Sequence, residues 1–60
     1  MNKPAFEMFK DQKDEYRFRL RAPNGEIIAA SEGYTQKAGC INGINSIKKN
    51  APIAEIEELL

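Results

Sequence analysis

The sequence has no histidine and a single cysteine, Cys40. One thiol cannot close a disulfide within the chain. One thiol and scattered carboxylates do not make a zinc site, and without histidine Cys40 lacks the usual base of a cysteine nucleophile. Net charge is absent too, nine basic residues balancing nine acidic ones. That disfavours a general nucleic-acid binder, whose affinity comes mostly from surplus Lys and Arg meeting phosphates. No apolar run approaches the ~20 residues of a membrane span. The start, MNKPAFEMFK, holds no apolar core of signal-peptide length. A lone cysteine and no leader point to the reducing cytoplasm. Gly25, Gly33, Gly39 and Gly43 fit neither a P-loop nor a dinucleotide spacing. No cofactor and no metal is expected.

What is present suits one small domain. Residues 1–60 read as a single unit, with 1–4 and 58–60 as loose ends. A chain of 60 residues buries only about 60% of its unfolded surface, so its stability is marginal. Folds of this size usually add disulfides, a metal or a partner chain. With the first two removed, self-association is the remaining source of stability.

Along the chain, AFEMFK (Ala5 to Lys10) is a short strand candidate with Phe6 and Met8 on one face. DQKDE (Asp11 to Glu15) has no apolar residue and reads as an exposed turn. YRFRLRA alternates with strict period two. Tyr16, Phe18, Leu20 and Ala22 face one way, and Arg17, Arg19 and Arg21 the other. APNG then supplies turn chemistry, with Pro23 presetting φ and Gly25 accepting a positive φ. A type I turn with a glycine bulge fits the spacing and sets Leu20 opposite Ile28 and Phe18 opposite Ala30. A two-residue loop at Asn24-Gly25 would slip the register by one and turn Ile27 inward. EIIAAS is the returning strand, ending near Gly33.

Thr35 is a good N-cap for a helix running from Gln36 to about Asn50. Cys40, Ile41, Gly43, Ile44, Ile47 and Ala51 occupy an arc of roughly 160°. Lys48 and Lys49 complement the dipole in the last turn. Asn50 suits a left-handed cap, and Pro52 stops continuation. Gly39 and Gly43 each cost about 1 kcal/mol against alanine, which implies close backbone approach along that edge. The tail PIAEIEELL is ambiguous, since Ile53 and Ile56 have helical spacing but Ile53-Ala54-Glu55-Ile56-Glu57 also suits a strand. The expected core is Phe6, Met8, Phe18, Leu20, Ile28, Ala30, Cys40, Ile44, Ile47 and Ile56.

At RFRLRAPNGEIIAASEGYTQKAGCINGINSIKKNAP, Arg17 to Pro52, the chain resembles the YegP-like family of small uncharacterised bacterial and archaeal proteins. The aromatic-basic strand, the NGEII hairpin, SEGY, KAGCINGI and KKNAP carry the likeness in that order. The resemblance implies an α+β fold, a β-β-β-α-β unit with an antiparallel sheet and one helix packed on one face. It further implies a homodimer with exchanged C-terminal strands, the strand being Ile53, Ala54, Glu55, Ile56 and Glu57. The family has no agreed catalytic residues to carry over.

The arginine row is the sharpest candidate site. Arg17, Arg19 and Arg21, with Lys10, form a candidate face for phosphate or an acidic partner. Equally, they suit the solvent side of a one-sided sheet, or a charge ladder against Glu55 and Glu57 of a neighbouring strand. Sheet-borne nucleic-acid readers normally add aromatics, and Tyr16 and Phe18 point the other way. Cys40 near the helix start could have a lowered pKa, but it falls mid-arc and reads as a small buried hydrophobe. Asp11, Asp14, Glu15, Glu26 and Glu32 sit in turns or at strand ends, where solvated acids belong. Tyr34 reads as a hydrophobic staple before Thr35, with a weak anion signal at the amides of Gln36 and Lys37. The functional expectation is a dimeric, non-enzymatic interaction or structural module that partners itself and no membrane. Weak nucleic-acid or anion binding on the arginine face is the alternative.

Overall fold

In the computed structural model, which describes residues 3–60, strands β1 (Ala5–Lys10), β2 (Tyr16–Arg21) and β3 (Ile27–Ala30) precede helix α1 (Lys37–Asn50). The sheet is antiparallel in the order β1-β2-β3, so the fold is α+β. The loose start expected at 1–4 lies partly outside the described residues; Lys3 and Pro4 are exposed and in no element.

Both hairpins use the same turn. Asp14 and Gly25 are the third loop residues of their hairpins, and both have positive φ, 66° and 91°. In the first, Asp14 N–H bonds Asp11 O at 3.0 Å and Asp11 N–H bonds Glu15 O at 2.9 Å. In the second, Gly25 N–H bonds Ala22 O at 2.9 Å and Ala22 N–H bonds Glu26 O at 2.7 Å. This is the type I turn with a left-handed third residue, which matches strand twist. The bulged turn expected at Pro23-Asn24-Gly25 is therefore present.

The register beyond that turn differs from expectation. Arg21 pairs with Ile27, but Leu20 pairs with Ala29 and Arg19 with Ala30, so Ile28 is an extra residue. The slip arises because IIAA is apolar throughout and does not distinguish one face from the other. Ser31 then locks the shifted pairing. Its Oγ accepts the Phe18 N–H at 2.9 Å, and its own N–H bonds Phe18 O at 2.9 Å. Ile28 and Ala30, expected in the core, are exposed instead, as is all of β3.

The helix lies over β2. Phe18 of β2 and Cys40 of α1 are buried in the layer between them, at 4% and 0% exposure. Phe6 meets the Phe18 ring edge-on at 6.0 Å, and the Tyr34 ring lies nearly parallel to it at 6.3 Å. Met8, Leu20, Ile44 and Ile47 are half-buried around them. A Cβ on Gly43 would lie 2.6 Å from the Tyr34 hydroxyl and 3.2 Å from Phe18 Cε2. The helical glycine thus makes room for the tyrosine ring. Tyr34 packs along the helix flank here, two turns deep, where a staple at the cap was expected.

The helix ends also depart from expectation. Gln36, extended at φ −124° and ψ 144°, is the N-cap, without a side-chain capping bond. Tyr34 is bridged to Tyr16 by backbone bonds of 2.8 and 2.7 Å, which hold the chain extended past Thr35. At the other end Asn50 is right-handed (φ −97°) and the chain tightens into a 3-10 turn, Ala51–Ile53. Pro52 fits there because the first residues of such a turn need no N–H partner. Ala54 is extended, and residues 54–60 are exposed and in no element. Within one chain, then, the fourth strand does not form and Ile56 joins no core. No helix among the described residues is long and apolar enough to cross a membrane.

Candidate functional site

The outer face of the sheet follows from strand alternation and the β1–β2 register. Arg17, Arg19 and Arg21 stand opposite Phe9, Glu7 and Ala5. Glu7 is centred on the row, and its carboxylate divides between two arginines. Oε1 accepts Arg19 Nε at 2.8 Å and Oε2 accepts Arg21 Nε at 2.9 Å. Arg17 turns to Asp11, donating from Nε at 2.6 Å, and reaches Ser31 O at 3.2 Å. Asp11 also fixes the first turn, accepting the N–H groups of Lys13 and Glu15 at 2.9 and 3.0 Å.

These bonds favour the charged forms. Hydrogen bonds from Arg21 and then Arg19 hold the Glu7 carboxyl below the usual carboxylate range, against a weaker opposing effect of burial. Asp11 is lowered first by the Arg17 bond and then by the Glu15 amide. Arg17 is raised in turn by Asp11. The arginines are thus tied into a ladder whose acids come from β1 and the first turn. Glu55 and Glu57, considered for that part, lie on the exposed tail.

Lys10 is not on this face. It pairs with Tyr16 across the strands, on the helix side, with Nζ 5.0 Å above the Tyr16 ring and 3.8 Å from Asp14 Oδ1. Alternation makes the reason plain, since Lys10 shares parity with Phe6 and Met8. The same count puts an aromatic among the arginines. Phe9, 40% exposed, carries the Arg19 guanidinium 5.4 Å from its ring centroid. Ile27, opposite Arg21, adds a second exposed apolar group. The expectation that this face lacks a stacking ring is corrected; the parity of Phe9 with Glu7 was the signal.

The remaining candidates are dispersed. The Cys40 thiol has no exposed surface. Among the described residues, no group of three or more His, Cys, Asp or Glu side chains could hold a metal. The tail carries the largest exposed apolar groups, with Ile53 at 80% and Ile56 at 96% exposure.

Residues 11–58 match the family model described as a domain of unknown function, DUF1508. The chain belongs to that family. A UPF0339 protein of Treponema denticola is 54% identical over 90% of this chain and 93% of its own length. One from Methanosarcina acetivorans is 59% identical, covering 85% and 88%. A third, described as lying in the 5′ region of the ptx operon of Stutzerimonas stutzeri, is 60% identical over 80% of this chain, but the match spans only 43% of that protein. Among solved structures, a Haloferax volcanii protein studied by NMR superposes with TM-score 0.85 at 49% identity, covering 97% of this chain and 98% of that one. A protein of Agrobacterium tumefaciens gives 0.79 at 46% identity, covering 93% and 90%. The family is the small uncharacterised YegP-like one to which the motifs pointed, and none of these names specifies an activity.

Proposed function

We propose that the chain is a non-enzymatic interaction module that works as a homodimer, each copy lending the segment Ile53 to Glu57 to its twin. Residues 1–60 act as one unit in the reducing cytoplasm, where the enclosed Cys40 stays a thiol. The observation that carries the reading is the tail. Ile53, Ile56 and Leu59 stand 80%, 96% and 91% exposed beyond the folded body. Side chains of that type gain about 1.5–3 kcal/mol each when buried. Among the described residues only Phe18 and Cys40 are buried, and the outer strands of the sheet offer unpaired edges that invite another chain. The longer Stutzerimonas stutzeri relative, matched over 43% of its length, has room for a second unit in one polypeptide. Size-exclusion chromatography with light scattering tests this on the full chain and on one ending at Asn50. Expected are a dimer for the first and a monomer or unfolded chain for the second. A full chain that stays monomeric, or a shortened one that stays a stable dimer, refutes it.

Phe9 favours a second reading, anion or single-stranded nucleic-acid binding on the Arg17, Arg19 and Arg21 face, because it supplies a stacking ring among the cations. Titration of RNA at two salt concentrations, with the three arginines changed to Ser, tests it. An unbound parent chain, or affinity unaltered by substitution, removes it.

A further inference from the structure

The two faces of the sheet differ in chemistry. On the helix side an open groove of about 650 Å³ lies between the start of β1 and the last turns of α1, walled chiefly by Phe6, Leu20, Ile44 and Ile47. Ligands are oriented by convergent polar groups, and those stand on the outer face instead. Arg17, Arg19 and Arg21 are two residues apart, about 6.6–6.8 Å along the strand. Phe9 and Ile27 lie among them, 40% and 44% exposed. The ladder sets three guanidiniums against the carboxylates of Glu7 and Asp11, so it keeps a positive charge although the whole chain has none.

The two acids hold their arginines differently. Asp11 accepts Arg17 Nε and two turn amides, and its side chain is 16% exposed. It belongs to the turn as much as to the ladder. Glu7 bonds two side chains, Arg19 Nε and Arg21 Nε, and is 35% exposed. A guanidinium carries five N–H groups, and Glu7 takes one from each arginine, so their terminal nitrogens remain donors. Arg19 also lies over the Phe9 ring, 5.4 Å from its centroid. Aromatic rings and guanidinium planes are both surfaces on which unpaired bases stack.

We propose that this face takes a single-stranded nucleic acid, one base stacking at Phe9 and Arg19 while the neighbouring phosphates displace Glu7 from Arg19 and Arg21. This rests on the second reading above and adds the ligand class and the group that holds the ligand off. Phosphate oxygens match the guanidinium fork as a carboxylate does. Glu7 is the acid that yields, because an exposed ion pair contributes little and its carboxylate regains water on swinging out. Asp11 stays, and with it Arg17, as the fixed end of the row. A duplex is refused, since its bases are paired and stacked away from the ring.

The experiment titrates a fluorescent oligouridylate into the full chain at about 50 mM and about 200 mM salt, with the matching duplex and heparin as separate ligands. Glu7→Gln keeps the shape and removes the charge. It should bind the oligouridylate about fivefold tighter at the lower salt, the gain that one unit charge a few Å from a phosphate brings in water, and less at the higher salt. Phe9→Leu should bind about fivefold weaker or worse. In the parent chain, NMR signals of the Arg19 and Arg21 Nε–H groups should move when RNA is added, while that of Arg17 stays. Equal or weaker binding by Glu7→Gln, or Nε–H signals that do not move, overturns the displacement. Heparin or duplex bound as tightly as the single strand, or RNA binding indifferent to Phe9→Leu, overturns the single-stranded ligand. Each of those results leaves anion binding by the arginines standing. A parent chain that binds none of the three ligands overturns both.

Discussion

β1 and β3 flank the same central strand, enter it through the same kind of turn and end up unlike. β1 pairs in unbroken register and is half-buried along its first four residues. β3 pairs with a one-residue shift and is exposed throughout. The turns cannot explain this, because both place a left-handed residue at the third loop position. Side-chain pattern does. β1 alternates Phe6 and Met8 with Glu7, so one face belongs to the helix and the other to the arginines. β3 reads IIAA, and either parity serves. A turn sets where a hairpin starts; only a face preference or a side-chain bond, here Ser31, keeps it in step.

Removing the shared support should erase the comparison altogether. Phe18→Ala takes away the ring on which both Phe6 and Tyr34 lean, with an expected loss of about 3–5 kcal/mol. For a domain this small that approaches the whole stability, so circular dichroism should show an unfolded or barely folded chain. Next in size is Gly43→Ala, which strikes the β3 side through Tyr34. Helix propensity alone predicts a gain of about 1 kcal/mol, yet the new methyl collides with the tyrosine hydroxyl and Phe18. Overpacking of that kind costs about 1–3 kcal/mol, so urea midpoints should fall or at best hold. A clear rise would show that the ring yields freely.

The turns themselves give a smaller contrast. Gly25→Ala forces a side chain into left-handed backbone and should cost about 1–2 kcal/mol. Asp14→Gly relieves that strain at the matching position and should shift stability by less than about 1 kcal/mol. Equal losses in thermal unfolding would mean that the two turns are not equivalent. The mildest test is acid. Glu7 and Asp11 both titrate lower when folded than unfolded. Their contribution is therefore complete above the ordinary carboxylate range and disappears as pH falls through the lower folded values. Glu7→Gln should flatten the acid limb of a stability–pH curve while leaving Asp11's share. An unchanged limb would show that the Glu7 bridge is energetically silent, as many exposed ion pairs are.

Much of this was legible in the residues, for reasons that can be named. The YRFRLR alternation fixed β2 and the arginine face, and the 40, 44, 47 spacing fixed the buried side of α1. Pro23 and Gly25 fixed the second turn. The β3 register was hidden because four consecutive apolar residues carry no parity. Thr35 failed as a cap because a long-range bridge, Tyr16 to Tyr34, outweighed a local preference. The acids that neutralise the arginines were present in the strings AFEMFK and DQKDE, but pairing Glu7 with Arg19 requires the β1–β2 register. Phe9 was readable by the same parity that placed Phe6 and Met8.

The notch at Gly43 has a consequence for the helix as a whole. Because the Tyr34 ring fills the hollow left by a missing methyl, α1 cannot slide along the sheet or roll about its axis without driving backbone into an aromatic ring. The tyrosine works as a key in a slot. It indexes the helix to one position, and so determines how wide the opening beside β1 remains at the opposite flank.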